Sequence, residues 1–350
     1  MIPPNGFPDP PAWLDGDGAE PAIVLSSRIR LARNVKGIPF SQTATDEQKE
    51  TVFGSVEKAA RETEALRESR IVRVDRSDPL ENRFLLERRL ISQDLAAGRG
   101  PRGVAIGEGE RVSVLINEED HMRIQSMRPG FELDGAWRTA DRIDDEMSER
   151  LDVAYTEEWG FLTACPTNTG TGMRASVLIH LPALALTKQI SKVLRGITQV
   201  GLAVRGMFGE HSEMTGNFYQ ISNQTTLGVS EADTLDSLGR VTRQIIDHER
   251  SASESLLESF RPQVEDKVYR AYGLLTHCRV VSSQEVLSLL SAVRFGATIG
   301  ILEQTPIPTL NRLMIETLPA HLQKEAGGAL EPPERDVRRA NRVRAMLSSN

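Results

Sequence analysis

The chain of 350 residues predicts an α+β domain followed by an all-helical one. Three observations carry this. Segments that alternate apolar and polar residues, the mark of a half-buried strand, are confined to the part before about Ser251. Helical patterns with antiparallel-style connections lie between them. From about residue 231 the apolar spacing becomes helical and stays so over 231–250, 253–272, 283–296, 308–317 and 334–347. The expected division is an irregular lead-in over 1–22, a mixed domain over 23–251 and a helical domain over 252–350.

Composition bounds the function. Apolar residues are 39% and charged ones 26%, near the averages for globular domains, and no apolar run is long enough for a membrane helix. The first residues, MIPPNGFPDPPAW, carry neither a basic segment nor an apolar core, so no secretory signal is visible and a cytoplasmic protein is expected. Two separated cysteines exclude a disulfide scaffold and a zinc site of the usual spacing. A net charge of −7 argues against nonspecific nucleic-acid binding.

In chain order, IVLSSRIRLARN puts Arg28 and Arg30 on one side of an extended strand, with Arg33 beyond. Two same-facing arginines make either a solvated face or an anion site. Thr45 and Gln48 form a capping box ahead of a helix with Val52, Val56, Ala59, Ala60 and Leu66 inward. A helical pattern in NRFLLERRLIS precedes the loop AAGRGPRG. RVSVLIN is a strand that runs into Glu118, Glu119, Asp120, His121 and Arg123, a solvated turn or a ligand-facing cluster. A helix follows over roughly 131–152, with Leu133, Trp137, Ile143 and Met147 inward. Phe161 to Ala164 is a short strand, RASVLIHLP its continuation or hairpin partner, and 183–199 one amphipathic helix. GLAVRGMFGEHSEMTGNFYQISNQ returns to strands around a polar turn carrying Arg205, Glu210, His211 and Glu213.

The stretch Thr163 to Arg174, TACPTNTGTGMR, places Cys165 before a proline in a glycine-containing loop, where Gly170 and Gly172 allow a ligand close to the main chain. Cys278, in the helical part, reads as packing. The chain has no GxxxxGK[ST] loop and no VAIK, HRD or DFG element. Arg28, Arg30, Arg123, Arg174 and Arg205 could instead surround a triphosphate with side chains, since guanidinium forks pair bidentately with phosphate oxygens. Glu119, Glu210 and Cys165 would serve a cationic acceptor. Carboxylates can orient a guanidinium and take its proton as a nitrogen attacks, while a thiol made acidic by nearby arginines adds negative charge.

SSRIRLARN, NEEDHMRIQSM, CPTNTGTGMRASV, RGMFGEHSE and YQISNQ, in this order, resemble the catalytic half of the phosphagen (guanidino) kinases. The resemblance implies an antiparallel sheet flanked by helices and phosphoryl transfer from ATP, with Mg2+ held through the nucleotide phosphates. It implies nucleotide contacts at Ser26, Ser27, Arg28, Ile29 and Arg30, at Arg123, at Arg174, Ala175, Ser176, Val177 and Leu178, and at Arg205, Gly206, Met207, Phe208 and Gly209. The guanidino-binding carboxylates would be Glu119 and Glu210, and the reactive cysteine Cys165.

Within that family, arginine and creatine kinases carry a helical domain ahead of these motifs; here the motifs start at residue 24. HCRVVSSQEVLSLLSAVRFGATIGI, GGALEPPERD and the closing ERDVRRA are similar to bacterial protein-arginine kinases, whose RDxxRA motif binds phosphoarginine allosterically. Arg335, Asp336, Arg339 and Ala340 match that motif; one turn apart in a helix, Arg335 and Arg339 could grip one phosphoryl group, unless the segment is merely a solvated tail. Those kinases have histidine before LIS, where this chain has Arg89, so Arg89 inherits a nucleotide contact. The implied substrates are proteins with exposed arginine, and the implied partners a zinc-binding activator, a heat-shock repressor, a Clp chaperone-protease and a second copy of the chain. The alternatives are a small-molecule guanidino kinase and a non-catalytic phosphoarginine-binding adaptor.

Overall fold

The computed structural model describes residues 9–207 and 215–348. Its strands are β1 (Val24–Arg33), β2 (Arg70–Arg73), β3 (Gly103–Ile106), β4 (Val112–Ile116), β5 (Met122–Pro129), β6 (Tyr155–Thr156), β7 (Gly160–Phe161), β8 (Met173–His180), β9 (Leu202–Gly206) and β10 (Phe218–Asn223). The helices are α1 (Asp46–Glu62), α2 (Pro79–Glu87), α3 (Gln93–Ala97), α4 (Leu133–Ser148), α5 (Pro182–Leu186), α6 (Ile190–Gln199), α7 (Glu231–His277), α8 (Ser283–Thr298), α9 (Ile307–Glu316), α10 (Pro319–Ala326) and α11 (Pro332–Ser348). Eight strands form one antiparallel sheet in the order β2-β3-β4-β5-β1-β8-β10-β9, and β6 pairs with β7 alone. This is the expected α+β arrangement with a helical C-terminal part.

Register makes the sheet a platform for charge. On the central strand β1, Arg30 lies opposite Gln125 of β5 and Arg174 of β8, while Arg205 of β9 faces Gln220 of β10. Alternation sends Ile29, Leu31, Ala175, Val177 and Ile124 into the apolar core instead. There they meet α4, whose Leu133, Ala136, Ala140, Ile143 and Met147 form its buried stripe. Trp137 is only half-buried. The capping box of α1 forms as expected: Gln48 N donates to Thr45 Oγ1 and Thr45 N to Gln48 Oε1.

Several elements differ from expectation, and β2, β3 and α3 have no counterpart in the elements expected from the sequence. Only Gly160–Phe161 of the segment to Ala164 is strand, pairing with β6, and β8 pairs with β1 and β10 instead. The helix expected over 183–199 is two, α5 and α6, separated where Lys188 takes φ +60°. Conversely, 231–250 and 253–272 are one helix, α7, so Ser251 lies within it; its kink falls at Phe260 (φ −139°), because Pro262 removes a backbone donor and crowds the preceding turn. The short helix α10, ended by Gly327 in the left-handed region, was not expected.

One hydrophobic core continues from the sheet into the C-terminal helices, and polar tethers reinforce it. Glu249 of α7 accepts from Ala183 N (2.7 Å) and Leu184 N (3.0 Å), capping α5. Arg294 of α8, fully buried, donates to Pro21 O and Ala22 O at 2.7 and 2.6 Å. Glu87, closing α2, accepts from Ala320 N and His321 N at the start of α10 and bonds His321 Nδ1 at 2.8 Å.

Arg33 joins β1 to α4 through a buried ion pair with Asp144 (2.6 Å) and donates to Ala32 O and Thr171 O, its guanidinium lying 3.4 Å from the Phe161 ring centre. Arg33→Ala strands a buried carboxylate, so urea unfolding should show a loss of about 3–5 kcal/mol; a loss below about 1 kcal/mol would contradict the role. Burial pushes Glu249 from its ordinary 4.5 up to about 7, against the two amide bonds it accepts. The folded state therefore holds the proton more tightly. The stability tied to Glu249 is complete below pH 4.5 and is lost as pH rises through 7. Urea midpoints measured from pH 4.5 to 8 should fall more steeply in the native chain than in Glu249→Gln, and equal slopes would remove the assignment.

Candidate active site

One face of the sheet turns its side chains into a cavity of about 400 Å³. Arg28 and Arg30 come from β1, Arg123 and Gln125 from β5, Arg174 from β8, Arg205 from β9 and Gln220 from β10. Arg89 joins them from the turn after α2, where its backbone holds φ +62° and its guanidinium donates to Met207 O. Arg28 Nη2 donates to Gln220 Oε1 at 3.1 Å.

These cations are crowded and dry. Burial, then the charges of Arg89, Arg123, Arg174 and Arg205, push Arg28 down to about 9. Burial and Arg30 push Arg89 down to about 10. Arg30 falls well below its ordinary value through burial, then Arg28, Arg123 and Arg174, with Glu118 opposing. The Nε atoms of Arg28, Arg30 and Arg89 are buried without a hydrogen-bond partner. Unsatisfied donors on desolvated like charges call for a polyanion, and a triphosphate fits their number and sign. Leu86, Ile91 and Leu115 give the same cavity an apolar wall.

The opposite side of the cavity is acidic. Glu119 lines it, its carboxyl raised first by burial and then by Asp120 and Glu118, against Arg123 and a hydrogen bond with Cys165. Cys165 Sγ lies 3.0 Å from Thr167 Oγ1. Arg123 stands between the two halves, 2.5 Å from Glu118 and 3.4 Å from Glu119. Asp120 and His121, read with them as one cluster, have structural work. Asp120 Oδ1 accepts from Asn34 Nδ2 and Ala164 N, both at 2.7 Å, anchoring the residue before Cys165. His121 Nδ1 accepts from Val35 N, which leaves Nε2 to donate to Pro39 O at 2.8 Å. Burial lowers its pKa, so the ring stays neutral.

The loop glycines serve a different purpose from the one expected. A Cβ on Gly170 (φ +110°) would strike Thr226 O, and one on Gly172 (φ +62°) would lie 2.6 Å from Arg33 Nη1 and 2.7 Å from Ala32 O. The close approach is by the chain itself. Thr226 Oγ1 completes the clamp, donating to Thr167 O and Thr169 O.

Several expected contacts lie elsewhere. Ser27 Oγ donates to Gly130 O and accepts from Glu132 N; Ile29, Ala175, Val177 and Leu178 are core; Ser26, Ser176 and Gly206 do not line the cavity. Met207 does, whereas Phe208, Gly209, Glu210, His211 and Glu213 lie outside the described residues. In α11, Arg339 is 1% exposed and donates to Thr317 O (2.8 Å), Val281 O (2.9 Å) and Asp336 Oδ1 (2.5 Å), while Arg335 reaches Leu330 O. Ala340 is core. Cys278 packs half-buried against the core, its thiol pushed up by burial. Gln220, Ser92, Asp94 and Asn168 line the cavity without having been singled out. Of these, Gln220 was within reach, since YQISNQ alternates and puts it on the arginine face.

Residues 51–252 match the family described as ATP:guanido phosphotransferase, C-terminal catalytic domain, and residues 261–350 match the Protein-arginine kinase McsB C-terminal domain. A protein-arginine kinase of Moorella thermoacetica is 47% identical over 96% of this chain and 97% of that protein. One of Bacillus subtilis is 46% identical over 96% and 93%. Among solved structures, the duplicated taurocyamine kinase of Schistosoma mansoni aligns at 28% identity and TM-score 0.58, over 65% of this chain and 33% of that longer one. Lombricine kinase shares the fold, with TM-score 0.60 over 72% and 74% at 24% identity. A cavity with cations on one side and acids on the other, on this sheet and with these relatives, has one reading: the chain belongs to the ATP:guanido phosphotransferase family, in its protein-arginine kinase branch.

Proposed function

We infer that the chain transfers the γ-phosphoryl group of ATP to arginine side chains of proteins. The observation that carries this is the two-signed cavity, with orphaned guanidinium donors facing Glu119 and Cys165. Arg28, Arg30, Arg89, Arg123, Arg174 and Arg205 would hold the phosphates, and Leu86, Ile91 and Leu115 suit the base. Glu119, with Glu210, would align the acceptor guanidinium in line with the γ-phosphorus. A carboxyl whose pKa is raised is also a better proton acceptor, so Glu119 is suited to take the proton that leaves the attacking nitrogen. Cys165, which lines the cavity with Glu119, would add electron density beside the acceptor without being phosphorylated. Mg2+ would be held through the nucleotide phosphates, as phosphoryl transfer generally requires.

A protein acceptor is favoured over free arginine by the relatives' names and by the C-terminal match. We further propose that Arg335, Asp336, Arg339 and Ala340 form a phosphoarginine site. Its coupling to catalysis would run through Arg339, which holds Thr317 O ahead of α10, and Glu87, which grips the start of α10 two residues before Arg89. On this reading the division near Ser251 separates catalysis from regulation. A cytoplasmic homodimer acting with a zinc-binding activator, a heat-shock repressor and a Clp protease completes it; no described helix is long and apolar enough to cross a membrane.

Incubated with γ-labelled ATP and quenched without acid, the chain should label a denatured protein and leave free arginine unlabelled; labelled free arginine alone would favour a small-guanidino kinase, and phosphoarginine binding without any labelling an adaptor. Glu119→Gln should lower turnover by about 10²–10⁴-fold with ATP affinity kept. Cys165→Ala should reduce kcat more than nucleotide affinity, and equal losses in both would place the thiol on the donor side.

A further inference from the structure

A second cavity, about 660 Å³, lies away from the catalytic one and is also lined by arginines. Strand parity separates them: on β5, Arg123 and Gln125 face the catalytic cavity, whereas Arg128 turns to the α4 side. Arg138 and Arg142 of α4 line it one helical turn apart, with Gly135 and Thr139 on the same stripe, and Arg111 closes it from the start of β4. Elsewhere arginines in this chain commonly pair with carboxylates, as Arg33, Arg73, Arg88 and Arg123 do. Among the described residues none of Arg111, Arg128, Arg138 and Arg142 has a carboxylate within 4.0 Å, although Asp17 and Glu132 line the same cavity. Arg128 Nη2 donates to Thr139 Oγ1 at 2.8 Å, and its Nε is buried with no partner. The first turn of α4 opens here without a side-chain cap, adding the positive end of the helix.

We propose that this cavity is a second anion site, for a bare oligophosphate. Four guanidiniums against the two carboxylates of the lining, with the Asp15 carboxyl also acting on Arg111, leave the site net positive in a chain whose net charge is −7. A net positive lining suits an anionic ligand, and guanidinium forks match tetrahedral phosphoryl oxygens. The size suits a small ligand. A nucleotide is disfavoured because the lining offers its base only Pro129, where the catalytic cavity offers Leu86, Ile91 and Leu115.

Calorimetric titration of the full chain with inorganic tripolyphosphate, with and without saturating ATP, tests this. ATP should block the catalytic cavity and leave one equivalent of tripolyphosphate bound. In the double variant Arg138→Ala/Arg142→Ala that equivalent should bind roughly a hundredfold more weakly, about tenfold for each guanidinium removed, while KM for ATP stays unchanged. Arg138→Lys/Arg142→Lys should recover part of the affinity. Both positions are exposed, and Arg111→Ala gives an independent reading should the double variant unfold. No binding in the presence of ATP, or native affinity in both alanine variants, overturns the proposal. So does ATP binding at two sites as tightly as tripolyphosphate, since a base would then be accommodated.

Discussion

The structure is organised around a repulsion. Arg28, Arg30 and Arg89 are drawn together with Arg123, Arg174 and Arg205, and burial is the first cause of the depressed pKa of the first three. At an effective dielectric of about 20, two unit charges about 4 Å apart repel by about 4 kcal/mol. Among the described residues Glu118 and Glu119 offset part of that at one margin, and the sheet holds the charges in place. It does so with the central strand: β1 is paired on both sides along its length, and its alternate residues Ile29 and Leu31 are fully buried. The same pleat that points the arginines at the ligand points apolar residues at α4. A polyanion in this cavity would relieve the repulsion, and charges already held in place by the sheet are the electrostatic preorganisation phosphoryl transfer needs.

Around that platform the C-terminal helices are fastened at three places, each through a buried polar side chain. Arg294 seizes the carbonyls just ahead of β1, Glu249 caps the helix that follows β8, and Glu87 caps α10 from the segment leading to Arg89. Arg339 then ties α11 to Thr317, one residue short of α10's N-cap. Each tether meets the chain next to an element that carries a cavity-lining arginine: β1 with Arg28 and Arg30, β8 with Arg174, and the turn with Arg89. A displacement of α11 would therefore move α10, and with it Glu87 and the turn carrying Arg89. On the proposed phosphoarginine reading, this chain of contacts would be the route, and differential binding of a ligand to two positions of α11 would be the switch.

What was legible in the sequence followed periodicity. Arg28 and Arg30 on one strand face, the stripe of α4 and the capping box of α1 are local facts, written within a few residues of one another. What was not legible depended on partners far along the chain. Glu118, Glu119, Asp120 and His121 look alike in sequence. Only Asn34, Ala164, Val35 and Pro39 separate the two that hold the turn from the two that meet Arg123. Gly170 and Gly172 announced a close approach, but whether ligand or backbone approached turned on Thr226 and Ala32. The helix expected to end near 250 continues because its buried stripe runs on from Ile246 through Glu249, Ala252 and Leu256 to the kink at Phe260.

Arg123 explains how donor and acceptor halves can adjoin without collapsing into each other. Its contact with Glu118 is short, and the Glu118 side chain is 2% exposed; its contact with Glu119 is long, and that side chain is 31% exposed. The two pairs therefore differ in strength, since a buried close pair holds more firmly than a loose, half-solvated one. Glu118 also accepts from Ser92, which fixes it further. On the proposed reading, an incoming guanidinium would compete with Arg123 for Glu119 and not for Glu118. Glu119 can then turn to the acceptor while Arg123 remains charge-compensated by Glu118 and stays on the phosphate side. One arginine with two unequal acids thus keeps the cationic half closed and leaves a single carboxylate exchangeable, at the boundary where a phosphoryl group would cross.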